Sequence, residues 1–384
     1  MDWLRIGAFG LLILYHIGMV FVPWNFHVKS HHIYDWLKLP MMATNAWRLT
    51  LRFVVSGYAS RALLARQRGP GQRGPGQRGA GRFAVQRTWR LLVPLTFGMI
   101  LIVPPQPWVE FVTKFGYPLS FPSFWLHHYF RFAVVGGVML PAWNHLWFVL
   151  YLWAYTLVLA AGVAIVRTRR LQAVFDRLFG GWGLLILPAL WYTTIHGWLF
   201  LMSTETQRLI DDPMGHLSYL PAFLFGFGLA RSPAALAAAV RLWKPAAVMA
   251  LIGYATIVAI ELHWPGDGGA PRWVYRPYGI AHAIEQWAAI IALIGVAEAH
   301  WNRDARVRPM LTEAVFPFYI VHQTIIVVVM YWLLPAGLPG WAEAGVLIVA
   351  TVAGCWAFYL VGRAIPPLRP LIGLRRHAIL RSSA

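Results

Sequence analysis

The sequence predicts an all-α integral membrane protein with about ten transmembrane helices and both termini in the cytoplasm. Composition is the first reason. Hydrophobic residues make up 59% of the chain and charged residues 12%, with a mean hydropathy of +0.56. A water-soluble surface needs about a quarter of its residues charged, so lipid must solvate much of this exterior. The other reasons are a series of apolar stretches of spanning length and an uneven split of basic residues between alternate loops. The 21 Trp suit the lipid–water boundary.

Taken in order, the predicted spans cover 4–23, 43–66, 87–106, 144–166, 181–202, 214–232, 244–263, 279–300, 311–334 and 341–364 of the 384 residues. The first is a span rather than a signal peptide. Its apolar run from Ile6 to Val22 is long, only Arg5 precedes it, and no small-x-small cleavage site follows. Alternating sides then places 24 basic residues in the loops that share a side with the N-terminus. Seven lie opposite (Lys29, Lys38, Lys114, Arg131, Arg208, Arg272 and Arg276), and Arg48 and Arg52 fall within a span. The positive-inside rule puts the richer side in the cytoplasm.

Residues 1–366 read as one transmembrane domain and 367–384 as a basic cytoplasmic tail. Within the domain, 67–82 is a Gly/Pro/Arg loop containing a repeated GPGQR unit. Gly and Pro prevent regular structure there, and the Arg keeps it solvated and drawn to anionic headgroups. The formal charge of +19 does not imply a nucleic-acid partner, because the basic residues sit in short loops and form no basic domain. The single Cys355 excludes an intrachain disulfide and a Cys-based metal cluster. No metal is expected.

Ionisable side chains inside a span cost roughly 2.5–3.5 kcal/mol each on insertion scales, so each one points to function. Arg5 and His16 in the first span are eleven residues apart, three turns plus about 20°, and share a face, with His16 roughly 16 Å deeper. A cation at the rim above an imidazole at mid-bilayer suits an anionic cytoplasmic ligand with a long arm. A structural hydrogen bond from His16 is the alternative. Arg48, Arg52 and Ser56 in the second span recur every fourth residue and face the bundle interior, toward an anionic substrate or an ion pair with Glu261 or Glu285. Arg87 and Arg90 open the third span one turn apart, as a phosphate-binding fork or a topology anchor. His282 and Glu285 in the eighth span are also one turn apart, and a carboxylate commonly orients an imidazole. Tyr319, His322 and Gln323 in the ninth span lie at a depth like that of His16. Segments 24–42 and 107–143, with His145 just beyond, mix aromatic and hydrogen-bonding side chains, including Trp24, His27, Tyr34, Trp108 and Trp125. They suit a sugar or an interfacial aromatic belt.

Several of these elements, in this order, resemble the membrane-bound acyltransferase-3 family. They are RIGAFGLLILYH from Arg5 to His16, FVVSGY at 53–58, RTWR at 87–90, HLWFV at 145–149 and FPFYIVHQ at 316–323. Within the family, HVKS at 27–30 and FVVSGY resemble the branch that succinylates osmoregulated periplasmic glucans. Arg52 departs from the family pattern, where an apolar or aromatic residue is usual beside Phe53.

The resemblance implies a multi-pass protein of the bacterial inner membrane. It implies transfer of a succinyl or acetyl group from cytoplasmic acyl-CoA to a hydroxyl of an extracytoplasmic carbohydrate. On that reading His16 is the general base, with Arg5 and His322 assisting. Arg5, Arg87 and Arg90 meet the nucleotide phosphates, while Arg48, Arg52, Ser56, His145, Trp147, His282 and Glu285 contact the acyl group or acceptor. A small-anion transporter is the rival reading, weakened by the absence of a convincing internal repeat. A membrane scaffold or sensor leaves the paired intramembrane cations unexplained.

Overall fold

In the computed structural model the described residues are 1–66, 77–166, 168–199, 205–266, 269–301 and 304–375. Most of the GPGQR loop and the end of the basic tail lie outside them. The described residues are nearly all helical, apart from a two-stranded hairpin pairing Val134–Val135 with Val138–Met139.

The helices run in the expected order. α1 (Asp2–Gly18), α2 (Lys38–Asn45), α3 (Arg48–Ala65), α4 (Gln77–Phe97), α5 (Pro105–Phe115), α6 (Phe121–His127) and α7 (Trp147–Ile165) form the first half. α8 (Thr168–Phe179), α9 (Gly183–Thr194), α10 (Pro213–Leu229), α11 (Pro233–His263), α12 (Arg272–His300), α13 (Arg308–Leu333), α14 (Gly340–Ala364) and α15 (Leu368–Leu371) follow. Six helical stretches among the described residues are long and apolar enough to cross a membrane. They are Gly79–Phe115, Asn144–Ile165, Pro233–His263, Arg272–His300, Arg308–Ala336 and Gly340–Ala364, and a seventh results if the bent pair α8–α9 counts as one. α1 and α10 have 17 residues each, and α3 carries Arg48, Arg52 and Arg61, so length and composition alone do not qualify these three.

Two boundaries differ from the sequence expectation. α1 stops at Gly18 rather than near residue 23, because Met19, Val22 and Trp24 turn their carbonyls onto the Lys29 ammonium. The third span does not end at 106. It continues as helix to Phe115 through a π-turn at Gly98–Ile102. Pro104, Pro105 and Pro107 do not end it, although proline breaks the helical ladder in a helix interior. Here they sit at or beside the start of α5, where a missing N–H is tolerated. The π-turn frees carbonyls that side chains take up: Tyr129 Oη donates to Met99, Trp125 Nε1 to Ile100 and Thr324 Oγ1 to Ile102. Irregular backbone at membrane depth survives only with such partners.

The chain divides into two compact units. The first comprises Met1–Ala8, Leu39–Gln86 and Ala154–Arg308. Its core holds Trp287, which is 1% exposed, donates Nε1–H to the Leu184 carbonyl at 2.7 Å and packs against Tyr192 and Phe225. α3 and α10 meet through reciprocal glycines. A Cβ on Gly57 would overlap the Phe223 carbonyl, and one on Gly226 would overlap that of Val54. Small residues let membrane helices approach this closely.

α8 turns 93° from the helix that follows it. Leu171, Val174 and Leu178 are exposed along one stripe, beside exposed Arg170 and Arg177. Amphipathic helices of this kind lie in the membrane interface. Single-cysteine labels at 171 and 174 are therefore expected to resist a water-soluble quencher in vesicles, while labels at 170 and 177 remain open to it. Equal access at all four positions would remove the interfacial placement.

The second unit comprises Phe9–Lys38, Arg87–Trp153 and Pro309–Ala384. Ile17, Val20, Phe21, Val28, Val109, Ile326, Val327, Met330 and Leu347 form one of its apolar cores. The HVKS segment is pinned to this core by three polar side chains. His27 bonds Glu110, Lys29 takes the three carbonyls after α1, and Ser30 donates to Glu343 of α14. Burial, with the Lys114 ammonium nearby, lowers the Lys29 amine to about 8, so the ammonium persists at neutral pH. Lys29→Met leaves those carbonyls without their shared donor and is expected to cost about 1–3 kcal/mol. Thermal unfolding of the purified protein measures this, and an unchanged midpoint would show that water replaces the ammonium.

A candidate active site built on three histidines

His16 near the end of α1, His145 just before α7 and His322 in the middle of α13 come together in the second unit. The His16 and His322 rings lie parallel, with centroids 5.1 Å apart and planes 2° apart. Their Nδ1 and Nε2 atoms are 2.9 Å apart. His145 meets His322 edge-on at 5.1 Å. His322 is fully buried and His145 is 8% exposed.

The hydrogen bonds fix the tautomers. His322 Nδ1 lies 2.8 Å from the Tyr319 carbonyl and 3.1 Å from that of Phe318. A carbonyl only accepts, so Nδ1 carries the hydrogen, and Nε2 of a neutral His322 is bare. His16 must then donate Nδ1–H to it, which leaves the His16 lone pair on Nε2. The hydrogen bond at one ring nitrogen sets the chemistry of the other. His145 Nε2–H is committed to the Tyr319 and Ile320 carbonyls, both at 3.1 Å. In return Tyr319 Oη donates to the His145 carbonyl, locking the HLWFV and YIVHQ elements together. Among the described residues no group of three His, Cys, Asp or Glu is arranged to hold a metal ion.

A second polar chain lies beside the imidazoles. His27 Nδ1 is 2.6 Å from Glu110 Oε2, and Glu110 is paired with Lys114 at 2.7 Å, which also donates to Asn25. His27 Nε2 is 3.0 Å from the Gln323 amide nitrogen, which donates to Gln106 Oε1 as well, also at 3.0 Å. Gln106 in turn receives Asn144 and donates to Thr324. Glu110, Gln106 and Asn144 were not among the residues the sequence singled out. Glu110 and Lys114, one turn apart, carried a readable signal, but they lie in a stretch taken for a loop.

The other predicted residues fall into two groups. Arg87 and Arg90 belong to the second unit, with Arg87 half-buried and Arg90 exposed on α4. Between them Thr88 accepts from Trp153. Trp147 is buried against Tyr151 of its own helix. Arg5, Arg48, Arg52, Ser56, His282 and Glu285 belong to the first unit. Arg48 and Arg52 are buried as their spacing requires, while Ser56 is half-buried. The expected His282–Glu285 pair is absent. His282 Nδ1 and both Glu285 oxygens have no hydrogen-bond partner, and the His282 ring lies 4.8 Å from that of His196 instead. His196 is tied through Gln286 to Thr50 of α3. One-turn spacing allowed the pair, but side chains turned toward different neighbours do not meet. Glu285 is equally not the counter-charge of Arg48 or Arg52.

No curated protein and no solved structure matches the chain. The match that does exist is nearly complete, and it runs through every element just described: the family model described as "Acyltransferase domain" covers residues 1–360. With RIGAFGLLILYH, HLWFV and YIVHQ delivering three histidines to one cluster, the chain belongs to the membrane acyltransferase-3 family.

Proposed function

We propose that this protein is an O-acyltransferase that moves a succinyl or acetyl group from cytoplasmic acyl-CoA across the membrane to a hydroxyl of an extracytoplasmic glycan, of which osmoregulated periplasmic glucan is the leading candidate. The observation that carries this reading is the His16–His322 pair, whose tautomers leave a basic nitrogen on His16. The topology proposed with it has ten spans, cytoplasmic termini, a domain over 1–366 and a basic tail over 367–384, in the bacterial inner membrane.

His16 Nε2 accepts the proton of the acceptor O–H as that oxygen attacks the thioester carbonyl carbon. The tetrahedral intermediate then collapses, the C–S bond breaks, and the departing thiolate takes the proton back from the His16 imidazolium. Atoms and charge balance without a metal or redox partner. His322 Nδ1–H is committed to backbone carbonyls, so neutral His322 has no hydrogen to offer an oxyanion. It orients His16 and shares its positive charge. Arg5, Arg87 and Arg90 meet the phosphates of coenzyme A, since guanidinium forks match phosphate oxygens. Arg48 and Arg52, buried on α3, hold the carboxylate of a succinyl donor, while Ser56, His145, Trp147, His282 and Glu285 line the path of acyl group or acceptor.

The same buried arginines favour one rival, passage of a small anion. Purified protein in vesicles separates the two. Acyl-CoA consumption coupled to ester formation on a glucose oligosaccharide supports the enzyme, whereas anion flux with intact thioester supports transport. Succinyl-CoA is expected to outcompete acetyl-CoA, and Arg52→Leu to erase that preference. An Arg52→Leu enzyme that still prefers succinyl-CoA would remove Arg52 from donor selection.

A further inference from the structure

Gln323 follows His322 in the chain, and its side-chain amide is held in a fixed orientation. Its nitrogen faces His27 Nε2 and Gln106 Oε1, each at 3.0 Å. Both of those atoms are acceptors. His27 must keep its hydrogen on Nδ1, which lies 2.6 Å from the Glu110 carboxylate, so Nε2 offers a lone pair. Gln106 Oε1 is the oxygen that receives Asn144 Nδ2, at 2.9 Å. Turning the Gln323 amide over would set oxygen against oxygen. Both amide hydrogens are therefore used, and Oε1 is the remaining acceptor on this side chain. Gln323 is 4% exposed, and Oε1 is not among the buried side-chain atoms that lack a hydrogen-bond partner, so it keeps contact with open space. A hydroxyl entering that space meets a fixed acceptor. The Phe26 ring lies 6.2 Å from the His16 ring and 5.3 Å from the His27 ring, so one aromatic ring borders both the catalytic imidazole and the imidazole that holds the amide.

We propose that Gln323 Oε1 is the acceptor-alcohol subsite: it takes a hydrogen bond from a sugar hydroxyl next to the one that His16 deprotonates, and His27, Glu110 and Gln106 are positioning residues that aim it. The proposal rests on the acyl-transfer reading. The ligand class follows from the atom. An amide oxygen recognises O–H or N–H donors and has nothing to offer a thioester carbonyl, a carboxylate or a phosphate, all of which only accept. It therefore serves the alcohol and not the reacting groups of the donor. A carboxylate-backed His27 holds the amide more rigidly than a neutral neighbour would, because charge-assisted hydrogen bonds are the stronger ones.

The test is steady-state kinetics on the full-length protein in nanodiscs, with succinyl-CoA or acetyl-CoA as donor and a short glucose oligosaccharide as acceptor, reading CoA release and sugar ester separately. Gln323→Met and His27→Phe are each expected to raise the acceptor KM about tenfold, the worth of one hydrogen bond. The donor KM should move far less, and thioester loss without acceptor should fall less than transfer does. Gln323→Asn keeps the amide but withdraws it, and must give the same split if Gln323→Met fails to fold. An acceptor KM that stays within twofold, or donor and acceptor parameters that worsen together in folded variants, overturns the subsite alone. If the unmodified protein forms no sugar ester, the acyl-transfer reading falls, and the subsite with it.

Discussion

His16→Ala is expected to lower acyl transfer at least a hundredfold, since a positioned general base contributes about 10²–10⁴. The protein should still fold, because the His16–His322 hydrogen bond joins a helix end already fixed by the Lys29 cap and an apolar core. His322 substitutions grade the mechanism. His322→Gln leaves an amide oxygen for His16 Nδ1–H and should keep part of the activity. His322→Phe leaves none and should approach His16→Ala. A role for His322 as oxyanion donor predicts a different pattern, in which the Gln amide N–H rescues transfer whatever becomes of His16 orientation. The measurement is mass spectrometry of base-labile esters on extracytoplasmic glycans, alongside CoA release by purified protein. Unchanged esters in a folded His16→Ala protein would take His16 out of the chemistry. The same spectra from the unmodified strain give the mass of the acyl group.

The helices were legible because membrane helices are written as apolar runs, and each predicted stretch overlaps a helix. The meeting of His16 and His322 was legible too: rise per residue gave the two imidazoles a similar depth, and they hydrogen-bond. Other features depend on pairings that no local pattern encodes. Glu110 meets His27 across 83 residues, and Ser30 meets Glu343 across 313. A scan for spans also passes over α8, whose 12 residues are amphipathic rather than uniformly apolar. The continuation of the third span past 106 was not legible, because the cost of the prolines at 104, 105 and 107 depends on whether a carbonyl loses its partner, and here side chains distant in sequence supply the partners. The His282–Glu285 expectation failed for a related reason, since spacing states which residues can meet but not which neighbours compete for them.

Gly57→Ala is expected to destabilise the protein by about 1–2 kcal/mol, against the ordinary behaviour of that substitution in a helix. Inside a helix, Ala is favoured over Gly by about 1 kcal/mol. Here the added Cβ would overlap the Phe223 carbonyl, and overpacking of a tight interface costs about 1–3 kcal/mol, occasionally more. The obstacle is backbone rather than a side chain that can swing aside, so the upper part of that range applies and the overlap wins. Gly226→Ala should behave alike, because it strikes the Val54 carbonyl from the other side of the same contact. Pushing α3 away from α10 would also part Phe53 from Tyr219, whose rings stack at 4.7 Å, and Arg61 from the Phe227 face at 4.3 Å. Arg48 and Arg52 ride on the same helix, so whatever protein survives should bind a succinyl donor poorly. The adjacent Ser56→Ala serves as contrast: half-buried, it should leave thermal unfolding within about 0.5 kcal/mol. This ordering assigns the Ser-Gly element of FVVSGY first to helix packing and only through it to substrate. A Gly57→Ala protein that melts at or above the unmodified midpoint would reverse the assignment.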